Sequence, residues 1–283
     1  MSLTAFAGAG VVGGASGCKR RAPDTSSSTS SSSDAANDTA ACVVGAVPDD
    51  VRARFKLSAF YTRYVDYQGL PILSSDKPES RALCVARDVI SHMLASRPEL
   101  VTRLVAHGIR LAIMGKTELT TNIPEHADLT PKAYWDQRAR GLGATLARPA
   151  VSAAEENVLC LPGDRYQGES ILVHEFSHTV FNIGVELDEP AMGQRLNKAF
   201  AAAAAAGLFQ STYAITNRDE YWAEGAQDWF DTNASAVPAN GTHNEIHTRT
   251  QLETYDPLLA SLEADILGKS AWRYACPSVG AQE

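Results

Sequence analysis

The 283-residue sequence has no excess of positive charge, because 25 lysines and arginines stand against 33 aspartates and glutamates, for a net charge of −8 at pH 7. No basic stripe interrupts this balance, so the electrostatic attraction that nucleic-acid binding needs is missing. We therefore expect no nucleic-acid partner. The sequence also lacks an apolar run of about 20 residues, the length that a membrane-spanning helix requires. It contains no internal repeat, which excludes the repeat architectures.

The first seventeen residues are small and apolar, and they end in Gly14-Ala15-Ser16-Gly17 immediately before Cys18. This ending resembles the cleavage box of a bacterial lipoprotein, which would make Cys18 the acylated residue. A signal peptide begins with a basic segment, and none precedes this stretch, so a flexible apolar tail is the alternative. We expect an exported protein, either a periplasmic or cell-surface lipoprotein or a secreted protein, with membrane attachment only through Cys18.

Residues 23–41 consist mainly of serine, threonine, aspartate, asparagine and alanine, with almost nothing to bury. Such a composition stays disordered in solution and is suited to a tether. We therefore divide the chain into a signal-like segment (1–17), a Ser-rich linker (18–44) and one catalytic domain (45–283).

The five cysteines indicate disulfides. Without Cys18 they leave Cys42, Cys84, Cys160 and Cys276, an even number that allows three pairings in an oxidising compartment. We expect Cys84 to pair with Cys160, and Cys42 with Cys276. Four buried free thiols are the alternative.

Hydrophobic periodicity predicts a chain rich in helices with a small sheet. The predicted helices cover residues 49–64, 79–96, 98–106, 168–184, 192–209, 218–231 and 249–267. The predicted strands cover residues 109–114 and 157–161. Residues 117–140 form a long polar excursion, which is typical of the wall of a binding site.

The sequence His174-Glu175-Phe176-Ser177-His178 places two imidazoles one helical turn apart. Residues four apart share one face of a helix, so both rings can bind one zinc ion while Glu175 faces a water molecule on the metal. The surrounding helix is apolar nearly all round, which predicts that it is buried. We therefore predict His174 and His178 as ligands of one zinc ion per chain, with Glu175 as general base.

A catalytic zinc site needs a third protein ligand and leaves its fourth position to water. The best candidate lies on the downstream helix, where Glu220 and Glu224 sit one turn apart and opposite an apolar face. A plain amphipathic helix with a solvated acidic side is the alternative, and the upstream histidines favour a ligand. A rival pair, His243 and His247, lacks an apolar setting and is more typical of an exposed loop.

The two segments together resemble the lethal-factor-like gluzincins, the zinc metallopeptidase group that contains the catalytic domain of anthrax lethal factor. The resemblance spans residues 165–231 and rests on two motifs, His174-Glu175-Phe176 with His178, and Glu220-Tyr221-Trp222-Ala223-Glu224. It implies Glu220 as the third ligand and Glu224 as the acceptor that orients a ligand histidine. Tyr213, seven residues before Glu220, would donate a hydrogen bond to the oxyanion.

The resemblance also implies an α+β, zincin-like metallopeptidase fold, mostly helical with a small sheet. The active-site cleft would lie between the zinc helix and the glutamate helix. The implied function is that of a zinc-dependent metalloendopeptidase that acts on a peptide or protein substrate.

Two other functions remain open. One is a cell-envelope amidase that uses the same site, because both reactions need the same zinc chemistry. The other is a non-catalytic exported lipoprotein whose zinc only braces the fold, with His243 or His247 as a fourth ligand. Three arginines, Arg138, Arg140 and Arg165, could bind a substrate carboxylate or simply be solvated.

Overall fold

A mixed β-sheet organises the computed structural model, which describes residues 42–276. Its strands within that range are β1 (Gly45–Ala46), β2 (Arg63–Tyr67), β3 (Leu70–Ser74), β4 (Arg110–Met114), β5 (Gly141–Leu142) and β6 (Ala150–Ala154). The strand order is β1-β2-β3-β4-β6-β5. Strands β3, β4 and β6 run parallel, whereas the short strand β5 pairs antiparallel with β6 at one edge.

Helices make up most of the remaining regular structure. In the described range they are α1 (Asp49–Phe55), α2 (Ser80–Leu94), α3 (Glu99–Ala106), α4 (Lys132–Arg138), α5 (Glu155–Val158), α6 (Ile171–Thr179), α7 (Pro190–Ala206), α8 (Arg218–Trp229), α9 (Arg249–Tyr255) and α10 (Pro257–Leu267). A π-helical turn, Val180–Val185, extends α6. The predicted α+β class with a small sheet is confirmed.

The predicted signal-like segment, Cys18 and the linker as far as residue 41 lie outside the described residues. The proposed division of the chain into segments therefore stays a prediction. Among residues 42–276, no helix combines the length and apolar character needed to cross a membrane.

Helix α6 lies in the centre of the hydrophobic core because its side chains are apolar on nearly every face. Leu172, Val173 and Phe176 are fully buried, and the Ser170 side chain caps the helix by accepting a hydrogen bond from the Val173 N–H. Helix α8 packs beside it, and its Trp222 donates a hydrogen bond from Nε1 to the Ser177 carbonyl at 2.9 Å. This contact fixes the two helices against each other.

Three predicted elements differ from the structure. The single helix predicted over residues 249–267 is two helices, α9 and α10, because Asp256 between them leaves the helical conformation and caps α10 with its side chain. The helix predicted over residues 49–64 ends at Phe55, because Lys56 adopts a left-handed conformation (φ 51°) and the chain then enters β2. The strand predicted over residues 157–161 lies instead at Ala150–Ala154, followed by the short helix α5. Alanine and serine have little intrinsic preference for strands. They form a strand here because the sheet buries them.

The predicted cysteine pairing is also wrong. The disulfides join Cys42 to Cys84 and Cys160 to Cys276, with Cα–Cα distances of 5.7 and 5.6 Å. Cysteine pairing requires proximity in the fold, which spacing along the chain does not reveal. Here Cys42 lies against α2, and Cys160 lies just after α5 beside the last described residues.

Candidate metal centre

Three side chains from two helices converge beside a cavity. The Nε2 atoms of His174 and His178 on α6 lie 3.2 Å apart. Glu220 on α8 places Oε2 3.0 Å from His174 Nε2 and 3.3 Å from His178 Nε2. These three form the one group of potential metal ligands found among the described residues. The structure thus brings together the three residues predicted as ligands.

The spacing of these donor atoms suits zinc. Zinc lies about 2.0–2.1 Å from nitrogen and oxygen ligands, so adjacent corners of its tetrahedron are roughly 3.3 Å apart. The three observed separations, 3.0 to 3.3 Å, are close to that value. Electron pairs on three facing donor atoms repel one another unless a proton or a metal cation lies among them. The group fits a single metal ion, and its two imidazoles and one carboxylate are ligands that zinc accepts.

Gln227 determines which nitrogen of His174 faces the other ligands. Its Oε1 lies 2.8 Å from His174 Nδ1, and its Nε2 donates to the Ser170 carbonyl, so the amide is held from both ends. An acceptor at Nδ1 keeps the proton on that nitrogen and leaves Nε2 free to bind a metal. Glu224, the predicted acceptor, lies farther away, with Oε1 3.5 Å from the same nitrogen.

The carboxylates shift the pKa values of the site. Burial alone would lower the pKa of His174, but its hydrogen bond to Glu220 and the charges of Glu175 and Glu224 raise it to about 10. Burial alone would raise the pKa of Glu220, whereas its contacts with His174 and His178 lower it far below its usual range. Glu220 is therefore an ionised carboxylate. The metal-free site favours positive charge among these atoms, as a cation-binding site should.

Glu175 follows the first histidine and lines a cavity of about 330 Å³ beside the three ligands. Its carboxylate accepts no hydrogen bond from any of the described residues, so its oxygens are available to water or substrate. Strand β5 also lines this cavity and lies very close to α6. A Cβ atom on Gly141 would come within 3.1 Å of Glu175 Cγ, and one on Gly143 within 3.1 Å of His178 Cβ.

Tyr213 reaches the ligand group from the loop before α8. Its hydroxyl donates to Glu220 Oε1 at 3.0 Å and accepts from Arg138 Nη2 at 3.2 Å. Burial and the Glu220 charge raise the pKa of Tyr213 to about 12, against the opposing effect of Arg138. The phenol therefore keeps its proton at neutral pH. Its hydroxyl lines the cavity, and its single O–H is engaged by Glu220 in this structure, so the predicted role stays a prediction.

The other histidines lie apart from the ligand group. His243 Nε2 lies 3.3 Å from Glu169 Oε2, and His247 Nδ1 contacts the Glu245 carbonyl. Neither adds a donor to the three that converge. The three ligand candidates line the cavity, which leaves room beside them for a water molecule or a substrate atom.

Reasoning from the sequence missed Gln227 and the close approach of β5. A signal for Gln227 was available, because it lies seven residues after Glu220 and so on the same face of the helix. The pair Gly141 and Gly143 gave no comparable signal, since their importance depends on a neighbouring helix that is distant in sequence.

Comparisons with known proteins add little to this picture. No protein-family model matches the sequence, and no curated protein matches it at a significant level. Among solved structures, a Pro-Pro endopeptidase from Paenibacillus alvei is similar over 69% of this chain and 96% of that one, with a TM-score of 0.47 and 16% identity. A similarity this remote leaves the activity to be argued from the site itself.

Proposed function

We propose that the protein is a zinc-dependent hydrolase of peptide bonds, a metalloendopeptidase of lethal-factor-like type. The observation that carries this proposal is the convergence of three donor atoms within 3.0–3.3 Å beside a carboxylate, Glu175, that has no hydrogen-bond partner among the described residues. A zinc ion that only braces a fold has four protein ligands. Three ligands facing an open cavity, together with an unengaged carboxylate, support catalysis instead.

His174, His178 and Glu220 would hold the metal, and Gln227 would hold His174 in the tautomer that binds it. Zinc in this site would supply Lewis acidity, which polarises a carbonyl group and makes water a stronger acid. Glu175 would accept the proton of the attacking water and deliver it to the leaving amine. The Tyr213 hydroxyl would turn its one proton from Glu220 to the substrate oxygen and donate a hydrogen bond there as negative charge develops.

The edge strand β5 supports a peptide as the substrate. It is the last strand of the sheet, and Gly141 and Leu142 both line the cavity. An edge strand offers unpaired backbone groups, to which an extended peptide can add as a further strand. This arrangement would place a peptide bond beside Glu175.

We also propose that the protein is exported, anchored through an acylated Cys18. The two disulfides support folding in an oxidising compartment. Mass spectrometry of the protein purified from membranes would detect the acyl group on a peptide that begins at Cys18.

Two matched variants of the full chain test the function. Glu175→Gln should retain about one zinc ion per chain by elemental mass spectrometry, yet lose cleavage of a proteome-derived peptide library by at least about a hundredfold. Glu220→Ala should lose zinc as well as activity, because it removes a ligand. Cleavage at the wild-type rate by Glu175→Gln would refute the mechanism, and wild-type protein that binds no zinc would refute the assigned metal.

A further inference from the structure

The sequence offers three arginines as candidates for binding a substrate carboxylate, and the structure gives them different surroundings. Arg140 is buried and forms two hydrogen bonds with Glu156, at 2.6 and 2.9 Å, so its charge is neutralised. Arg165 donates to the Gln137 carbonyl and lies over the ring of Tyr166. The Arg140 guanidinium is therefore engaged by the fold, and Arg165 does not line the cavity.

Arg138 differs from both. It is exposed and lines the cavity, and its guanidinium makes one hydrogen bond to the described residues, from Nη2 to the Tyr213 hydroxyl. No carboxylate of residues 42–276 forms an ion pair with it. Nε and Nη1 therefore remain open to whatever occupies the cavity.

The backbone that carries Arg138 is held in place by other side chains. Three consecutive carbonyls, those of residues 137, 138 and 139, accept hydrogen bonds from Arg165, Tyr166 and Thr120, respectively. Helix α4 has no buried residue, so these bonds, rather than apolar packing, fix its end. An arginine on a fixed backbone loses less freedom when it binds a ligand, which makes it a better recognition group.

The position of Arg138 relative to the metal ligands is set by Tyr213. The Tyr213 hydroxyl contacts Arg138 on one side and Glu220 on the other, at 3.2 and 3.0 Å. The guanidinium thus lies one side chain away from the proposed metal. Four carboxylates line the cavity, and none of them forms an ion pair with Arg138. Glu169 pairs with His243, and Glu220 and Glu224 face His174. Glu175 has no hydrogen-bond partner among the described residues.

We propose that Arg138 binds a carboxylate of the substrate, so that the enzyme selects peptides with an acidic side chain or a free C-terminus close to the cleaved bond. This inference rests on the proposed function. A guanidinium with two unused donors can form paired, charge-assisted hydrogen bonds with a carboxylate, which a neutral amide cannot match. The specificity-determining contact is therefore Arg138 with the carboxylate, while Tyr213 and Glu175 act on the bond itself.

Binding and cleavage by the full chain test the proposal. The first probe is a pair of C-terminally amidated peptide libraries that differ only in carrying Glu or Gln, and the second is the Gln library with a free C-terminus. Zinc-loaded Glu175→Gln protein should bind a carboxylate-bearing library at least about tenfold more tightly than the amidated Gln library. Adding Arg138→Gln should abolish the difference, and Arg138→Lys should retain part of it.

Arg195→Gln is the matched control, because Arg195 is a surface arginine paired with Asp265 and does not line this cavity. It should leave both the preference and the zinc content unchanged. A preference limited to the free C-terminus assigns the contact to the terminal carboxylate, and a preference for internal Glu assigns it to an acidic side chain.

The failures of the two proposals differ. Cleavage by the wild-type protein without any preference for carboxylates, or a preference that survives Arg138→Gln, overturns the role of Arg138 and leaves the hydrolase intact. A binding preference that depends on Arg138, without cleavage of any library by wild-type protein, overturns the hydrolase and retains carboxylate recognition. Absence of both binding and cleavage overturns both proposals.

Discussion

At the scale of single residues, Gln227 illustrates how a neutral side chain determines the chemistry of a ligand. It accepts from His174 Nδ1 at 2.8 Å, whereas Glu224 Oε1 lies at 3.5 Å. A neutral acceptor fixes the imidazole tautomer without adding charge next to the proposed metal. The orientation of His174 therefore depends mainly on Gln227, although Glu224 is the residue that the motif suggested.

Replacing Gln227 by Met keeps the volume of the side chain but removes the acceptor. Loss of such a contact typically weakens metal binding about 10- to 100-fold. We expect that loss for Gln227→Met and a smaller one for Glu224→Gln, measured by competition for zinc with a chromophoric chelator. Gln227→Glu keeps the acceptor but loses the hydrogen bond to the Ser170 carbonyl, so its loss of affinity should be smaller than that of Gln227→Met. A larger loss in Glu224→Gln would assign the orienting role to Glu224.

Glu263 is a second residue whose surroundings decide its behaviour. It is fully buried on α10, and neither carboxylate oxygen has a hydrogen-bond partner among the described residues. Burial and the nearby Asp228 raise the pKa of Glu263 well above its usual value, against the weaker opposing effect of Arg249. At neutral pH the folded protein must either keep a proton on Glu263 or bury its charge.

The stability of the fold should therefore fall as pH rises. Because the folded pKa of Glu263 exceeds the unfolded value of about 4.3, the folded state binds more protons between these two values, and the free energy of unfolding decreases with pH across that window. Urea denaturation at about pH 5 and about pH 8 should show this decrease in wild type and a smaller one in Glu263→Gln. Equal decreases in both proteins would contradict the assignment.

At the scale of secondary-structure elements, the contact between β5 and α6 defines one wall of the cavity. A Cβ atom on Gly141 would lie 2.5 Å from Ile171 Cγ2 and 2.8 Å from the Ser152 carbonyl oxygen. Both atoms belong to well-packed elements and cannot withdraw easily. The edge strand can lie beside α6 only if position 141 carries no side chain.

Gly141→Ala should therefore destabilise the protein by about 1–3 kcal/mol, the usual cost of forcing extra volume into a packed site. It should also impair cleavage, because the wall beside Glu175 must move. Gly45→Ala is the control, since a Cβ there meets nothing within 4 Å. Thermal unfolding of the two variants compares them directly, and equal midpoints would show that β5 can yield without cost.

At the scale of the whole molecule, the two disulfides tie segments that are distant in sequence. Cys42–Cys84 joins residues 42 apart and anchors the start of the described chain to α2, while Cys160–Cys276 joins residues 116 apart and anchors its end near α5. Loop-closure entropy predicts that the Cys160–Cys276 disulfide contributes roughly 4–5 kcal/mol to the stability of the fold. The Cys42–Cys84 disulfide closes a shorter loop and should contribute somewhat less.

Peptide mapping without reduction should recover the pairs Cys42–Cys84 and Cys160–Cys276. The double variant Cys160→Ser, Cys276→Ser should unfold at a lower denaturant concentration than Cys42→Ser, Cys84→Ser, because it opens the larger loop. A crosslinked peptide joining Cys84 to Cys160 would restore the pairing expected from the sequence and contradict the fold near α2.

Much of the helical structure could be predicted from sequence because its signals are local. The helices around residues 79–96, 98–106 and 218–231 follow apolar periodicity and end within a few residues of the predicted bounds. Strand β6 could not be predicted, since Ala and Ser gave no pattern of their own. Its extended conformation comes from pairing with β4 and β5.

The sequence by itself determined the chemistry of the ligand group, because His174, Glu175 and His178 are neighbours on one helix and their geometry follows from its period. Only the tertiary structure decided how Glu220 and Tyr213 meet that helix, which acceptor orients His174, which arginine remains unpaired and which cysteines bond. Each of these depends on distances between segments far apart in the chain. Packing of the whole core sets those distances, and the local periodicity of the sequence does not predict them.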